Sequence, residues 1–293
     1  MHLVLHVGAH GTDAGRIAAW LARNREALQA QGLVLPPPGP FLRALSEALD
    51  KGRDQDPFVR EEALLSGLGA TGQRRRMLVS APGVLGAGTD ALAAEGFYRR
   101  DVARRLHALA VLFPRTRLTL LLAVGRAQSV IPALLPDEPG AAELLLAGIT
   151  EETLPWARLA HAIRAQLPRA GLVVWRTDDQ ADVWPKILRA LVGPEVALPV
   201  PGLFDLAARG LGAEARLRAQ RYLAGNPPAS ARQLRDVVAA FGKRFGTQTP
   251  EDPARNLPGW LRERLARLDR GFATEWADLS GMAGVTCLHA RQG

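Results

Sequence analysis

Met1-His-Leu-Val-Leu-His-Val-Gly8-Ala-His10-Gly11-Thr12-Asp13-Ala-Gly15-Arg16-Ile17 is the stretch on which the reading of the fold turns. An apolar run ends at a glycine, a short polar turn follows, and helical periodicity begins at once. This is the pattern of a strand, a phosphate-sized loop and a helix N-terminus, where backbone N–H groups and the helix dipole can cradle an anion. The loop contains no lysine, so it is not a working Walker A sequence, which needs Gly-Lys-Ser/Thr at its end. The spacing of Gly8, Gly11 and Gly15 leaves two readings open: an ordinary strand-to-helix turn and a phosphate site.

Beyond this stretch, strand-like and helical runs alternate. His2–Val7 reads as the first strand, Leu33–Leu35 as a short extended piece, Met77–Ser80 as a buried strand, and Leu172–Trp175 as another. Leu118–Val124, Leu-Thr-Leu-Leu-Leu-Ala-Val, is a continuous apolar run of the kind found in parallel sheets buried on both faces. Helical periodicity is expected over Gly15–Ala30, Phe41–Leu49, Phe58–Leu68, Phe97–Phe113, Ser129–Leu135, Leu154–Leu167 and Trp184–Leu191. In the last of these, Pro185 lies near the expected start, where proline is tolerated. The alternation predicts an α/β fold, a P-loop-like doubly wound parallel sheet flanked by helices. Its expected extent is residues 1–198. From about Pro199 the pattern turns helical, over Ser230–Phe245 and Gly259–Trp276, with Val285–Leu288 as a short closing strand. Residues 199–293 are therefore expected to form a helical C-terminal extension packed on the same domain.

The 293 residues are 47% hydrophobic and 23% charged, ordinary globular composition. No apolar run reaches the roughly 18–20 residues of a membrane span, and the start lacks the basic and long apolar regions of a signal peptide. The single cysteine, Cys287, excludes an internal disulfide framework and a cysteine-based zinc site. The six histidines show no ligand spacing on one helix, so no metal is expected. A cytoplasmic location is the expectation. The net charge of +8 is almost all arginine, with only Lys51, Lys186 and Lys243 as lysines. Clusters stand at Arg74-Arg75-Arg76, Arg99-Arg100, Arg104-Arg105 and Arg115 with Arg117. With no zinc-finger or aromatic RNA-stacking pattern beside them, they read as solvated faces rather than a nucleic-acid surface. An acidic small ligand such as a nucleotide fits the charge.

The opening segment resembles the phosphosulfate-binding loop of bacterial sulfotransferase-like proteins, Gly-x-His-Lys-Thr-Gly-Thr-Thr followed by a helix and Asn-Arg-x-x-Leu. Here Gly8-Ala9-His10 is followed by Gly11 where the lysine belongs, then by the matching Thr12. Asp13 stands for the glycine, Ala14 and Gly15 replace the threonines, and Asn24-Arg25-Glu26-Ala27-Leu28 fits. Leu78-Val79-Ser80-Ala81-Pro82-Gly83 is similar to a family strand and turn of the form Ser-x-Glu, with Pro82 at the glutamate. Phe113-Pro114 through Val130-Ile131-Pro132-Ala133-Leu134 is similar to the segment that holds the 3′-phosphate. Gly125 stands there for the arginine, with Arg126 beside it, and Ala133 stands for the serine, with Ser129 one turn earlier. Leu154-Pro155-Trp156, Val174-Trp175-Arg176 with Asp178-Asp179, Val183-Trp184-Pro185, Pro258-Gly259-Trp260 and Met282-Ala283-Gly284 extend the resemblance along nearly the whole chain.

The resemblance implies sulfuryl transfer from 3′-phosphoadenosine 5′-phosphosulfate to an acceptor hydroxyl or amine, small-molecule or carbohydrate. It implies cofactor contacts at Gly8, Ala9, Gly11, Thr12, Asp13, Gly15, Arg16, Arg126 and Ser129, and His10 as the candidate base. A loop lysine and amides would stabilise the leaving phosphate, a base would take the acceptor proton, and an arginine and a serine would hold the 3′-phosphate. Those lysine, glutamate, arginine and serine roles fall on Gly11, Pro82, Gly125 and Ala133. Losing one such donor typically costs about 10²–10³ in rate. The expectation is catalysis that is weak or lost, with a non-catalytic binding or scaffold protein as the alternative, which leaves a protein partner open. Each singled-out residue also has a plainer reading. Arg16 reads as a solvated first-turn residue, His10 as a loop residue bonded to backbone, and Asp13 as the N-cap of the first helix. Asp178-Asp179 reads as a solvated turn, and Trp156, Trp175 and Trp184 as core anchors.

Overall fold

The computed structural model describes residues 1–12, 15–51, 55–70, 76–99, 101–136, 140–198, 204, 207–228, 231–247 and 257–290. Its strands are β1 (His2–Gly8), β2 (Leu33–Val34), β3 (Arg76–Ser80), β4 (Leu92–Ala93), β5 (Gly96–Phe97), β6 (Arg117–Val124), β7 (Gly171–Arg176) and β8 (Val285–Leu288). Six of them form one parallel sheet in the order β2-β3-β1-β6-β7-β8, and β4 and β5 make a separate antiparallel pair. Counting only the strands of the main sheet, the order is 2-3-1-4-5-6. This differs from the 3-2-1-4-5-6 of the dinucleotide-binding fold by exchange of the second and third strands.

The helices are α1 (Arg16–Arg23), α2 (Arg25–Ala30), α3 (Pro38–Lys51), α4 (Pro57–Gly67), α5 (Val102–Leu112), α6 (Ala127–Val130), α7 (Ala141–Ala147), α8 (Trp156–Gln166) and α9 (Gln180–Val192). After them come α10 (Ala213–Gly225), α11 (Ala231–Phe245), α12 (Gly259–Leu268) and α13 (Phe272–Gly281). They cover both faces of the sheet. Because strand side chains alternate between faces, Leu3, Leu5, Met77, Leu120 and Val174 turn to one core, where Phe41, Leu64, Leu106, Trp156, Leu265 and Trp276 meet them. Val4, Leu78, Leu121 and Trp175 turn to the other, with Ile17, Trp20, Leu28, Trp184, Ala215 and Leu234. Both cores draw on residues from either side of position 198, and β8 extends the sheet beside β7. Parts of the expected segments at Arg74-Arg75, Arg100, Pro199 and Ser230 lie outside the described residues.

Five expected helices take a different form. Ser129–Leu135 is α-helical only to Val130, in α6, and tightens to a 3-10 turn over Ile131–Leu134 at Pro132. Gly15–Ala30 is divided at Asn24, whose side-chain amide donates to the Trp20 carbonyl and closes α1. Phe97–Phe113 is helical only over α5. Its first part joins β5, and the chain then turns through Tyr98 and Asp101, both at positive φ (51° and 58°). The aromatic pull explains this, since Phe97 stacks on Trp156 with ring centroids 3.7 Å apart. Gly259–Trp276 is divided at Asp269–Gly271, where the Asp269 carboxylate is drawn to a distant backbone segment. Pro185 lies inside α9 rather than near its start, because the helix already begins at Gln180. Burial of Val183, Trp184, Ile187 and Leu188 against the sheet outweighs the lost amide.

Candidate functional site

The carboxyl ends of β1, β3 and β6 converge, as they must at the edge of a parallel sheet where ligands of such folds sit. The loop after β1 is the centre. A Cβ placed on Gly8 (φ +108°) would point at Pro82, 3.5 Å away, and at the Tyr98 hydroxyl, 3.7 Å away. One placed on Gly11 (φ +77°) would lie 2.9 Å from the Val130 carbonyl and 3.5 Å from Ala133. The three segments singled out in the sequence therefore meet, and Tyr98 joins them from the turn after β5.

What the loop does with its amides is decisive for anion binding. The Ala9 N–H donates to the Ala123 carbonyl (3.2 Å), the His10 N–H to the Tyr98 hydroxyl (2.7 Å), and the Thr12 N–H to the Ala9 carbonyl (3.4 Å). The buried Thr12 hydroxyl also turns inward, to the Ala9 carbonyl at 2.6 Å. These three amides and the Thr12 hydroxyl are engaged within the protein. Asp13 lies outside the described residues. The N-cap of α1 is Gly15, at φ 73°, rather than Asp13, and it caps without a side chain. Arg16 is the first residue of α1 and is half-buried.

His10 is fixed by the same hydroxyl. Its Nδ1 lies 2.7 Å from Tyr98 Oη, which also accepts the His10 N–H. Burial pushes the His10 imidazole below its usual value. Burial likewise raises the Tyr98 phenol, against the His10 amide. The amide and Nδ1 of the assigned base are thus both engaged by one hydroxyl. One residue pair away, the fully buried His6 places Nδ1 2.8 Å from Ser80 Oγ and stacks on Trp175.

The segment after β6 is closed as well. A Cβ on Gly125 would stand 2.6 Å from Thr177 Oγ1 and 2.7 Å from Val130 Cγ2, so the position admits no side chain without displacement. Its carbonyl accepts the Trp156 indole N–H at 2.9 Å. Arg126 points outward and pairs with Asp178 at 3.2 Å. Ser129 is half-buried in α6, its N–H bonded to the Arg126 carbonyl. The amides of Ala127 and Gln128, which open α6, are taken by the two carboxylate oxygens of Asp269. Burial raises the Asp269 carboxyl above its usual range, opposed by those two amides and by Arg126. Glu275 does the same for α8: its Oε1 accepts the Ala157 N–H at 3.1 Å, and burial raises its pKa to about 7.

Of the residues assigned from sequence, Gly8, Ala9, His10, Gly11 and Thr12 form one loop, and Ser129 lies across it beside Val130. Arg126 is turned to Asp178, and Asp179 accepts Arg176 at 2.6 Å. Trp156, Trp175 and Trp184 are buried in the two cores. Tyr98, Asp269 and Glu275 were not singled out. Leu268-Asp269-Arg270-Gly271 carries a breaker signal that would have marked the helix end, though not the partner of Asp269. Among the described residues, no group of three or more His, Cys, Asp or Glu is placed to hold a metal ion, and no helix is long and apolar enough to cross a membrane. Comparison with protein-family models, curated proteins and solved structures gives no match.

Proposed function

We propose that this chain is a sulfotransferase-like α/β protein that no longer transfers sulfuryl groups and acts as a non-catalytic binding protein. The observation that carries this reading is the closure of the loop after β1, in which the amides of Ala9, His10 and Thr12 all bond within the protein. A phosphate seated there would have to break those bonds before making its own. The sealed positions reinforce the reading. The family lysine and arginine fall on Gly11 and Gly125, where even a methyl group is obstructed. Asp269 brings negative charge to the amides of the segment that resembles the 3′-phosphate site. The strand order, distinct from that of the dinucleotide-binding fold, supports the P-loop-like assignment.

Calorimetric titration with adenosine 3′,5′-bisphosphate tests the reading, together with the melting temperature in millimolar 3′-phosphoadenosine 5′-phosphosulfate. No saturable heat and no rise in melting temperature are expected. A dissociation constant below about 1 mM, roughly 4 kcal/mol of binding, would overturn it.

A further inference from the structure

The positive charge of the chain is unevenly placed. Residues 213–245, which span α10 and α11, hold seven arginines and lysines against two carboxylates. These 33 residues supply five of the eight net charges. The other 260, with the arginine runs at 74–76, 99–105 and 115–117 among them, are close to neutral. A compositional bias toward arginine would spread the surplus along the chain, so its concentration on two helices calls for a local reason.

Aromatic rings mark the seam between the two helices. The Arg218 guanidinium of α10 lies over the Phe245 ring of α11 at 4.6 Å. One turn further along α10, Tyr222 meets Phe241, one turn back along α11, with ring centroids 5.6 Å apart. Phe241 and Phe245 are themselves 5.6 Å apart. Tyr222, Phe241 and Phe245 thus form a ladder of three rings, tilted by 47° and 35°. The inner faces of both helices are committed to the second core through Ala215, Ala219, Leu234 and Val238. The ladder is open to solvent: Tyr222 is 45% exposed, and Phe241 and Phe245 are half-buried. Arg244 lies over Phe245 as well, at 5.4 Å, so one ring carries guanidinium groups from both helices. Glu214 offsets Arg218 at 2.8 Å. Arg221, Lys243 and Arg244 are exposed, and among the described residues no carboxylate pairs with them.

We propose that this seam binds single-stranded nucleic acid, with bases stacked on the ladder of Tyr222, Phe241 and Phe245 and phosphates paired with Arg221, Lys243 and Arg244. Rings spaced at 5.6 Å suit bases splayed out along a single strand. A duplex keeps its base faces stacked inside and offers nothing to the ladder. Guanidinium groups held on a ring add their charge to the stacking surface. An anionic bilayer fits less well, because the apolar faces that would enter it are packed against the sheet. The inference goes beyond the non-catalytic reading and does not rest on it, since the seam shares no residue with the loop after β1.

Fluorescence anisotropy of a labelled oligothymidylate with the full chain tests this. Binding should be saturable, and the logarithm of the association constant should fall against the logarithm of salt concentration with a slope of about −2, the value for three phosphate contacts on a single strand. Tyr222→Ala should weaken binding about tenfold or more and leave that slope unchanged, while Tyr222→Phe should keep the affinity. Arg244→Gln should make the slope shallower by about 0.7. A duplex containing the same strand, inorganic polyphosphate and phosphatidylserine vesicles should all compete poorly. Should Tyr222→Ala lower the urea midpoint, Arg221→Gln and Lys243→Gln, at exposed positions, test the same surface through the slope. Absence of saturable binding, a folded Tyr222→Ala chain that binds as the parent does, or a slope indifferent to all three cations would overturn the proposal. So would competition by duplex, polyphosphate or vesicles as strong as that of the unlabelled oligothymidylate.

Discussion

Gly11→Ala, compared with Gly15→Ala, separates two reasons for a glycine in the loop after β1. Both glycines have left-handed backbone, φ +77° and +73°. An alanine at either therefore costs about 1–2 kcal/mol in conformational strain. They differ in surroundings. A Cβ on Gly15 meets nothing within 4 Å among the described residues, while one on Gly11 lies 2.9 Å from the Val130 carbonyl oxygen. That oxygen is backbone of a fully buried residue, so relief requires movement of the chain at α6 rather than a rotamer change. Overpacking of this kind costs about 1–3 kcal/mol, which sets Gly11→Ala near 2–5 kcal/mol and Gly15→Ala near 1–2 kcal/mol. Urea unfolding followed by tryptophan fluorescence gives the comparison, with midpoints read at a common slope. Equal midpoints for the two variants would refute the packing argument. A sharper refutation is available from Gly11→Lys. If that chain is as stable as the parent and binds adenosine 3′,5′-bisphosphate, the loop accommodates a lysine at 11 without a change of backbone.

Two further outcomes follow from buried polar groups. Glu275, raised from 4.5 to about 7, keeps its proton in the folded state while the unfolded chain has lost it. Its contribution to stability is therefore present at low pH and disappears as pH rises from 4.5 to 7. His2, lowered from 6.5 to about 4, acts in the opposite sense: the unfolded chain holds the extra proton, so stability falls as pH drops from 6.5 to 4. The two slopes oppose each other over the shared range. Glu275→Gln should thus gain stability relative to the parent as pH rises from 4.5 to 7, on the order of 2 kcal/mol. His2→Gln should gain as pH falls through 6.5 to 4. Parallel pH profiles for parent and variants would remove the assignment. Tyr98→Phe leaves the His10 N–H and Nδ1 without their shared hydroxyl and should lower stability by about 1–3 kcal/mol. An unchanged urea midpoint would show that the hydroxyl does not hold the loop.

The elements legible in the sequence were those whose cause is local. Leu118–Val124 is apolar at nearly every position because both of its faces are buried, and it lies within β6. His2–Val7, Met77–Ser80 and Val285–Leu288 followed from the same kind of pattern. The convergence of Gly8–Thr12, Pro82 and Gly125–Ala133 was legible too, because strand ends of a parallel sheet share one edge. What escaped was decided across the chain. Tyr98 is 88 positions from His10, Asp269 is 142 from Ala127, and Glu275 is 118 from Ala157. No window of periodicity holds such pairs. The helix expected over Phe97–Phe113 lost its first turns to the stack of Phe97 on Trp156, 59 positions away, and the helix expected over Gly259–Trp276 was divided at Asp269.

Gly11, Ala133 and Gly125 are coupled in space through Val130. The direction of a side chain at Gly11 leads to Val130 and Ala133, and the direction of one at Gly125 leads to Val130 and Thr177. Val130, fully buried, stands between the two. The obstruction differs on each side. At Gly125 it is the Val130 and Thr177 side chains, which smaller residues would relieve; at Gly11 it is the Val130 carbonyl, which no substitution at 130 removes. Asp269 fastens the same turn from outside by holding the amides of Ala127 and Gln128. A lysine at 11 therefore requires the α6 turn to move, and that movement breaks the Asp269 contacts and unseats Gly125 beneath Trp156. A larger residue at either glycine meets resistance from the rest of the arrangement. The glycines at 11 and 125 are thus parts of one packed arrangement built around Val130, so a side chain introduced at either one disturbs the seating of the other.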